Sequence, residues 1–213
     1  YAARTKLCAV LPRVFRTEDE ALFREKLQRF PQLSAVAVGN LGHLPIVEGL
    51  GLEVRGDFGL NVFNSRALAF LRELGLASAT VSFELRHQQV RDLAKLLPCE
   101  GIVYGRLPLM VMENCITKNN VGCRHGAGST LTDRTGAQFP VQCVYGCRNE
   151  IENSLPLFLA DKAEWRGCGL TSARLRFTTE TADECAAILR RYRGEGDYAP
   201  EKYTRGLFYR GVE

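Results

Sequence analysis

The sequence predicts an α/β protein built from repeated strand–helix units around a parallel sheet. From Leu7 to about Met112, short apolar runs alternate with amphipathic stretches, which is the pattern of consecutive β/α units. Helix start signals stand between several of these runs. The chain has 213 residues, of which 46% are hydrophobic, so it is long enough to form one large core or two modest ones.

Five short runs are the predicted strands of this region. Each is apolar or rich in β-branched residues, and each is short enough to be a buried strand of a parallel sheet. Their regular spacing indicates a repeated unit. They lie at residues 7–10, 35–38, 60–63, 80–83 and 102–104.

Three helices are predicted between these strands. A capping box over 17–20 marks the start of the first helix. Asn64 marks the start of the second, which Gly75 ends. The third, over 88–97, places apolar residues at the i, i+3, i+4 and i+7 positions, and Pro98 stops it.

The pattern changes after Met112. Residues 114–136 are rich in Asn, Gly, Cys, Thr and Arg, which favour turns, and the segment is too long for an ordinary connection. We therefore expect an irregular loop region that carries function. The remaining predicted elements are strands at 139–141, 157–159 and 175–177, a helix over 182–192 capped by Thr179 or Thr181, and a tail over 198–213.

The chain is accordingly divided into three regions that we expect to form one compact domain. They are a β/α-repeat region at 1–112, a cysteine-bearing loop region at 113–150, and a strand–helix segment with a tail at 151–213. The net charge of +4 is too small to predict a nucleic-acid-binding surface by itself.

The sequence has no apolar segment approaching the ~20 residues that span a bilayer, and no signal-peptide pattern. We therefore expect a cytoplasmic protein with no membrane partner. The chain begins at Tyr1 without an initiator methionine. We expect it to be the C-terminal part of a longer protein, whose upstream part is then a partner of this region.

Four of the eight cysteines gather in or beside the irregular region: Cys115, Cys123, Cys143 and Cys147. Lys- and Glu-rich helices and a full-sized core argue against a disulfide framework and favour reduced thiols or metal ligands. Soft thiolates gathered on loops suit zinc or an iron–sulfur cluster, because the metal compensates their charge. Inert thiols and disulfides stay as alternatives.

The cysteine spacing fits neither the zinc nor the iron–sulfur template well, but an iron–sulfur cluster tolerates irregular spacing better. Zinc modules pair cysteines through two to four residues on both sides, which Cys143 and Cys147 satisfy but the wider pair Cys115 and Cys123 does not. His125 is an additional candidate ligand. The other four cysteines lie among apolar residues and are expected to act as small hydrophobes: Cys8, Cys99, Cys168 and Cys185.

Polar residues at predicted strand ends are the candidates for catalysis, because sites of barrels and open α/β sheets gather at the carboxyl ends of strands. Such residues are Asn61, Asn64, Glu84, Arg106 and Glu113. Asn64 is explained as a helix cap. We therefore predict Arg106, Glu113 and Glu84 as catalytic residues. The sequence has no serine-nucleophile elbow, zinc-protease helix or P-loop.

Short segments along nearly the whole chain resemble one family. They include Leu-Asn-Val-Phe-Asn-Ser at 60–65, Ser-Phe-Glu-Leu at 82–85, Tyr-Gly-Arg-Leu-Pro-Leu-Met at 104–110 and Glu-Asn-Cys at 113–115. The likeness continues through 131–134, 139–141, 153–154, 174–178 and 204–211. On these segments the sequence resembles the collagenase-like peptidases, peptidase family U32.

The resemblance implies a partial or modified TIM-like barrel whose earlier strands lie upstream. It also implies one of two activities. One is peptide hydrolysis, as the family name says, and the other is hydroxylation of RNA bases or quinone precursors with a 4Fe-4S cluster. In the cluster-bearing relatives, three ligand positions correspond to Cys115, Cys123 and Cys143. The fourth position has no cysteine here, so Cys147 or His125 must replace it.

Three functional hypotheses follow. The first is 4Fe-4S-dependent hydroxylation of an RNA base, the second is a peptidase that uses the cysteine site as its metal centre, and the third is a non-catalytic module held together by zinc. Arginine suits either the phosphates of RNA or a small dicarboxylate. The predicted substrate-binding residues are Arg106, Arg124, Arg134, Arg148 and Asn61.

Overall fold

The computed structural model describes residues 5–93, 96–123 and 129–212. The chain folds into two compact units. The first contains Tyr1–Gly101, Glu164–Ala173 and Leu207–Glu213, and the second contains Ile102–Ala163 and Arg174–Gly206. The predicted three-part division of the chain stays a prediction. In the described part of the chain, no helix is both long and apolar enough to cross a membrane.

The first unit contains a parallel sheet with strands paired in chain order. Each of the first three strands pairs in parallel with the next, and the fourth pairs in parallel with the start of the fifth. The last four residues of the second strand are buried, as expected for a strand in the middle of a parallel sheet. The strands are β1 (Leu7–Val10), β2 (Leu33–Val38), β3 (Glu53–Gly56), β4 (Ser78–Thr80) and the first residues of β5 (Cys99–Gly105).

Helices alternate with these strands, so the predicted α/β class is confirmed. Closure into a TIM-like barrel stays a prediction. Asn64 begins the third helix as predicted, because its Oδ1 accepts a hydrogen bond from the Ala67 N–H at 3.0 Å. Gly75 follows the same helix with φ 84°, a conformation that glycine adopts without strain. The helices are α1 (Glu20–Gln28), α2 (Leu44–Val47), α3 (Ser65–Glu73) and α4 (His87–Leu93).

The predicted strand at 60–63 is wrong. Phe58–Leu60 is a 3₁₀ turn, and Val62 makes only an isolated bridge to Val81. The strand of this β/α repeat is β3, whose sequence Glu-Val-Arg-Gly contains two charged residues. Their side chains pair with each other, with Arg55 Nε donating to Glu53 Oε1 at 2.7 Å, so composition alone did not reveal the strand.

The capping box predicted at 17–20 is displaced by one residue. A 3₁₀ turn over Thr17–Asp19 precedes α1, and the Asp19 carboxylate accepts a hydrogen bond from the Arg16 N–H at 3.0 Å. This hydrogen bond is exposed to solvent. The helix itself occurs where the sequence placed it.

The second unit contains an antiparallel sheet in the order β6, β9, β8, β7. It is formed by β6 (Pro108–Met112), β7 (Ser129–Thr132), β8 (Gln138–Val144) and β9 (Arg148–Glu152), with the short helix α5 (Ile116–Val121) between β6 and β7. The prediction that 114–136 is irregular is therefore wrong for α5 and β7. Few of these residues are apolar, so neither element shows a hydrophobic period.

An aromatic core completes the second unit. It is formed by the end of β5, by β10 (Leu157–Phe158), by part of β11 (Ser172–Arg176) and by α6 (Ala182–Arg193). Tyr192 on α6 donates its hydroxyl hydrogen to the Val103 carbonyl at 2.6 Å and accepts from the Leu159 N–H at 3.0 Å. Thr181 is the N-cap of α6, as one of the two predicted candidates.

Within the segment predicted as a tail, 198–213, the described residues 198–212 pack against other parts of the chain. In the second unit, Thr204 bridges Leu157 and accepts a hydrogen bond from the Phe158 N–H at 3.1 Å. In the first unit, the Phe208 carbonyl accepts from the His87 N–H at 2.8 Å, and the two rings lie 5.5 Å apart. The apolar and aromatic residues of this segment are the reason that it packs.

Candidate metal centre

The four predicted ligand cysteines all belong to the second unit. Cys115 is the N-cap of α5, where its Sγ accepts a hydrogen bond from the Lys118 N–H at 3.3 Å. Cys123 follows α5, Cys143 is on β8, and Cys147 is in the connection between β8 and β9. Cys115 is half-buried and the other three are exposed, and none of the four is in a disulfide.

The electrostatic environment of Cys143 includes the other three thiols. Its pKa is raised first by partial burial and then by the negative charge of the thiolates of Cys115, Cys147 and Cys123. Thiolates affect one another in this way only at short range. The fold therefore brings Cys115, Cys123 and Cys147 within electrostatic reach of Cys143.

The four sulfur atoms are nevertheless not in a bonding arrangement. Among the described residues, no group of three or more His, Cys, Asp or Glu side chains is placed so as to hold a metal ion. Thiolates repel one another unless a cation lies between them. Three of the four side chains are exposed to solvent.

The connection between β8 and β9 places Cys147. Val144 and Arg148 pair at its base, and only three residues join them. Gly146 and Cys147 both have left-handed backbone conformations, with φ 72° and 60°. Glycine is favoured at 146 by its positive φ, and a Cβ there would also approach Arg148 Nη1 to 2.5 Å, so the end of the arginine side chain would have to shift. A cysteine in this conformation is uncommon, and such strain is concentrated at functional sites.

Two predicted site residues, Glu113 and Arg148, form an ion pair beside the thiols. Arg148 Nε donates to Glu113 Oε1 at 3.0 Å, and Arg148 Nη1 donates to the Tyr145 carbonyl at 3.3 Å. The arginine side chain is only 5% exposed. Arg148 thus joins the segment ahead of Cys115 to the start of β9.

Asn149 is a buried residue of this region that the sequence alone did not reveal. It is 1% exposed, lies opposite Cys143 in the ladder, and accepts a hydrogen bond from the Ile116 N–H at 2.7 Å. Four of the five residues of β9 are polar, so the strand has no apolar period to reveal it. The available signal was the dense run of polar residues directly after Cys147.

Other polar residues of β9 form a second charged group. Arg176 on β11 donates to Glu152 Oε2 at 2.7 Å and to Glu150 Oε1 at 2.5 Å. The Glu152 side chain is fully buried, and its other oxygen, Oε1, has no hydrogen-bond partner among the described residues. Burial raises the pKa of Glu152, Arg176 opposes that change, and Glu150 adds to it.

The remaining predicted arginines have different surroundings. Arg106 donates Nη1 to the carbonyls of Asn153, at 2.9 Å, and of Ser154, and its Nε donates to Thr179 Oγ1 at 3.2 Å. Its guanidinium therefore holds a turn of the second unit. Arg134 is exposed in the turn between β7 and β8. Arg124 and the candidate ligand His125 lie outside the described residues.

Glu84 and Asn61 belong to the first unit, unlike the other candidates. Asn61 is exposed and has φ 49°, at the end of the 3₁₀ turn over Phe58–Leu60. Glu84 is half-buried, and its N–H donates to Ser82 Oγ at 3.3 Å. Their predicted roles stay predictions.

The four cysteines predicted to be small hydrophobes fall into two groups. Cys99 and Cys168 are buried, and burial raises the pKa of both thiols, that of Cys99 to about 11. Cys185 is half-buried, but Cys8 is exposed on β1. The prediction of burial among apolar neighbours is therefore wrong for Cys8, because β1 exposes alternate residues.

Together, the fold and these side chains define a mixed α/β protein with a group of neighbouring thiols in one of its two units. A family model, Peptidase family U32, matches residues 2–138. The matched region is well over half of the chain and includes Cys115 and Cys123. The chain therefore belongs to peptidase family U32. No curated protein and no solved structure was found to match it.

Proposed function

We propose that this chain holds a 4Fe-4S cluster on Cys115, Cys123, Cys143 and Cys147 and that it serves the hydroxylation of an RNA base. The observation that carries the proposal is that all four cysteines belong to one unit, on or beside α5, on β8 and in the connection between β8 and β9, and that Asn149 opposite Cys143 bonds to the residue after Cys115. Membership of family U32 supports the same hypothesis. The location that this activity suggests is the cytoplasm.

The thiol set fits an iron–sulfur cluster better than a zinc module. Cys115 and Cys123 are spaced more widely than zinc modules usually require, whereas clusters accept irregular spacing. All four thiols lie at element ends, in connections or on an exposed strand face, where a metal can reach them. When bound, such a cluster supplies a centre that binds or activates an oxygen-transfer reagent.

The protein's own residues would position this site and attract an anionic substrate. Arg148 is buried against Glu113 and so fixes the chain on both sides of the thiols. Arg134 is exposed in the turn between β7 and β8, and its guanidinium suits a phosphate or a carboxylate. We therefore assign substrate attraction to Arg134 and a holding role to Arg106 and Arg148.

The cluster is tested by analysing the metal content of the whole chain after purification without oxygen. Iron, zinc and acid-labile sulfide are measured together with the visible thiolate-to-iron absorption in the wild type, in Cys115→Ser and in Cys143→Ser. The matched control is Cys8→Ser, which changes an exposed cysteine of the first unit. We expect iron and sulfide in the wild type and in Cys8→Ser, and their loss in the other two variants.

The alternatives give different results in the same experiment. Zinc without sulfide would contradict the cluster and favour a zinc-held module. Neither metal would contradict both. Gelatin cleavage that is lost on chelation and in Cys143→Ser would favour a metal-dependent peptidase instead.

The substrate class is tested by the salt dependence of RNA binding. Binding through phosphates weakens steeply as salt rises, whereas a small dicarboxylate shows a weaker dependence. We expect Arg134→Gln to weaken RNA binding and to reduce the salt slope by about 1. Arg16→Gln, which changes an exposed arginine of the first unit, is the control. An unchanged affinity in Arg134→Gln would contradict this assignment.

A further inference from the structure

We propose that Asn149 is a positioning residue for the four-thiol site, a role that rests on the proposed function because it concerns the same ligand set. Asn149 is on β9, directly opposite Cys143 on β8. Its side chain is 1% exposed, although an amide is costly to bury without hydrogen bonds. The contacts of this amide explain why it is there.

The amide of Asn149 joins two segments that carry proposed ligands. Its Oδ1 accepts from the Ile116 N–H at 2.7 Å, and its Nδ2 donates to the Arg148 carbonyl at 3.2 Å. Ile116 is the first residue of α5 and directly follows Cys115. One side chain therefore holds the backbone next to Cys115 against the strand that pairs with Cys143.

This connection matters because α5 is too short to hold its own position. The helix has six residues, and isolated helices of that length are unstable in water. The place of Cys115 is therefore set by tertiary contacts, of which the bond from Ile116 to Asn149 is the nearest along the chain. Residues that orient metal ligands in this way typically change metal affinity 10- to 100-fold when removed.

A merely structural role for Asn149 makes a different prediction. Loss of a buried hydrogen bond would then reduce stability without a selective effect on metal binding. Tyr192→Phe provides the matched control, because it removes two partly buried hydrogen bonds from the same unit at a position outside the four-thiol set. Asn149→Asp provides the rescue of metal binding, because a carboxylate oxygen can accept the bond from Ile116, which is the bond that positions Cys115. It loses only the bond to the neighbouring Arg148 carbonyl and lowers stability by burying a charge.

The experiment titrates the reduced full chain with Co²⁺ alone, in competition with a chelator, and follows the thiolate-to-cobalt absorption. We expect Asn149→Leu to weaken Co²⁺ binding about 10- to 100-fold and to shift the absorption band, while Asn149→Asp stays within about threefold of the wild type. Tyr192→Phe is expected to bind Co²⁺ like the wild type although it is less stable.

Wild-type affinity in Asn149→Leu, or an equal loss in Asn149→Leu and Tyr192→Phe, would overturn the positioning role and leave the proposed ligand set standing. Absence of a thiolate-to-cobalt band in the wild type would overturn the ligand set and the positioning role together. If Asn149→Leu does not fold, Asn149→Ser replaces it and is judged by the same affinities, because its side chain is too short to reach the Ile116 N–H.

Discussion

The Arg148 guanidinium donates a hydrogen bond to the Glu113 carboxylate at 3.0 Å, which joins the chain just before Cys115 to the strand that follows Cys147. Only one member of the pair is buried, since the arginine side chain is 5% exposed and that of the glutamate is 56% exposed. A buried charge depends on its partner more than an exposed one does. Removing the charge of Glu113 should therefore lower the stability of the folded chain.

We expect Glu113→Gln to lower the free energy of unfolding by about 1–3 kcal/mol, because the buried guanidinium of Arg148 loses its counter-charge. Asp92→Asn is the control: its pair with Arg91 is exposed and spans 3.7 Å, and the change should cost less than about 0.5 kcal/mol. Urea unfolding followed by circular dichroism measures both. Equal effects would show that Glu113 does not stabilise Arg148.

The stability of the chain should depend on the protonation of Glu152. Burial raises its pKa in the folded protein above the ordinary value of 4.5. The stability contributed by the protonated form is therefore complete below about pH 4.5 and is lost as the pH rises through the raised folded pKa. Glu152→Gln cannot ionise, so its stability relative to the wild type should increase with pH over that window.

Urea midpoints measured at a series of pH values test this difference. Glu184→Gln is a control of opposite sign, because hydrogen bonds from the Thr181 N–H and hydroxyl lower the pKa of Glu184. The stability from Glu184 is present above pH 4.5 and is lost as the pH falls through the lowered value. A constant difference between wild type and Glu152→Gln at every pH would contradict the raised pKa.

Thiol accessibility should separate the proposed ligands from the other cysteines. We expect Cys123, Cys143 and Cys147 to react with a thiol reagent in the metal-free chain, because they are exposed, and to be protected once a metal is bound. Cys8 is also exposed and should react in both states. Cys99, whose pKa burial raises to about 11, should react only on unfolding.

Mass spectrometry of the labelled peptides assigns each reaction to a residue. Equal protection of Cys8 and Cys143 by metal would mean that protection is not specific to the proposed site.

Gly105 should tolerate no side chain. It has φ 117°, and a Cβ there would overlap the backbone carbonyl oxygen of Arg176. We expect Gly105→Ala to cost more than about 3 kcal/mol, because conformational strain adds to the overlap. Gly136→Ala is the matched control, since φ is also positive, 84°, but no atom lies within 4 Å, and it should cost about 1–2 kcal/mol.

Thermal unfolding of the two glycine variants gives the comparison. Similar transition temperatures would show that Arg176 moves away from residue 105 at little cost.

Local sequence signals were enough where a residue acts on its own segment. The cap at Asn64 and the cap at Thr181 occur as predicted, because such bonds reach only three residues along the chain. The strand at 7–10 and the alternation of strands with helices were also predicted, because apolar runs are the signal of buried strands. Membership of family U32 was likewise evident from short segments of the sequence.

The sequence signals failed for two strands that are rich in polar residues. β9 is buried although four of its five residues are polar, and β3 carries an internal ion pair between Arg55 and Glu53. In both strands the partners are supplied by side-chain bonds that a hydrophobic period does not encode. The sequence therefore predicted a loop region where most of β9 occurs, and a strand at 60–63 instead of β3.

The sequence by itself determined the α/β class, the family, and the four cysteines that could form a site. Only the tertiary structure decided that the thiols of Cys115, Cys123 and Cys147 lie near Cys143, because that proximity depends on how α5 and the hairpin of β8 and β9 meet. It also decided that Arg106 holds backbone carbonyls. Residue types set which bonds a side chain can make, whereas the fold sets which partners are within reach.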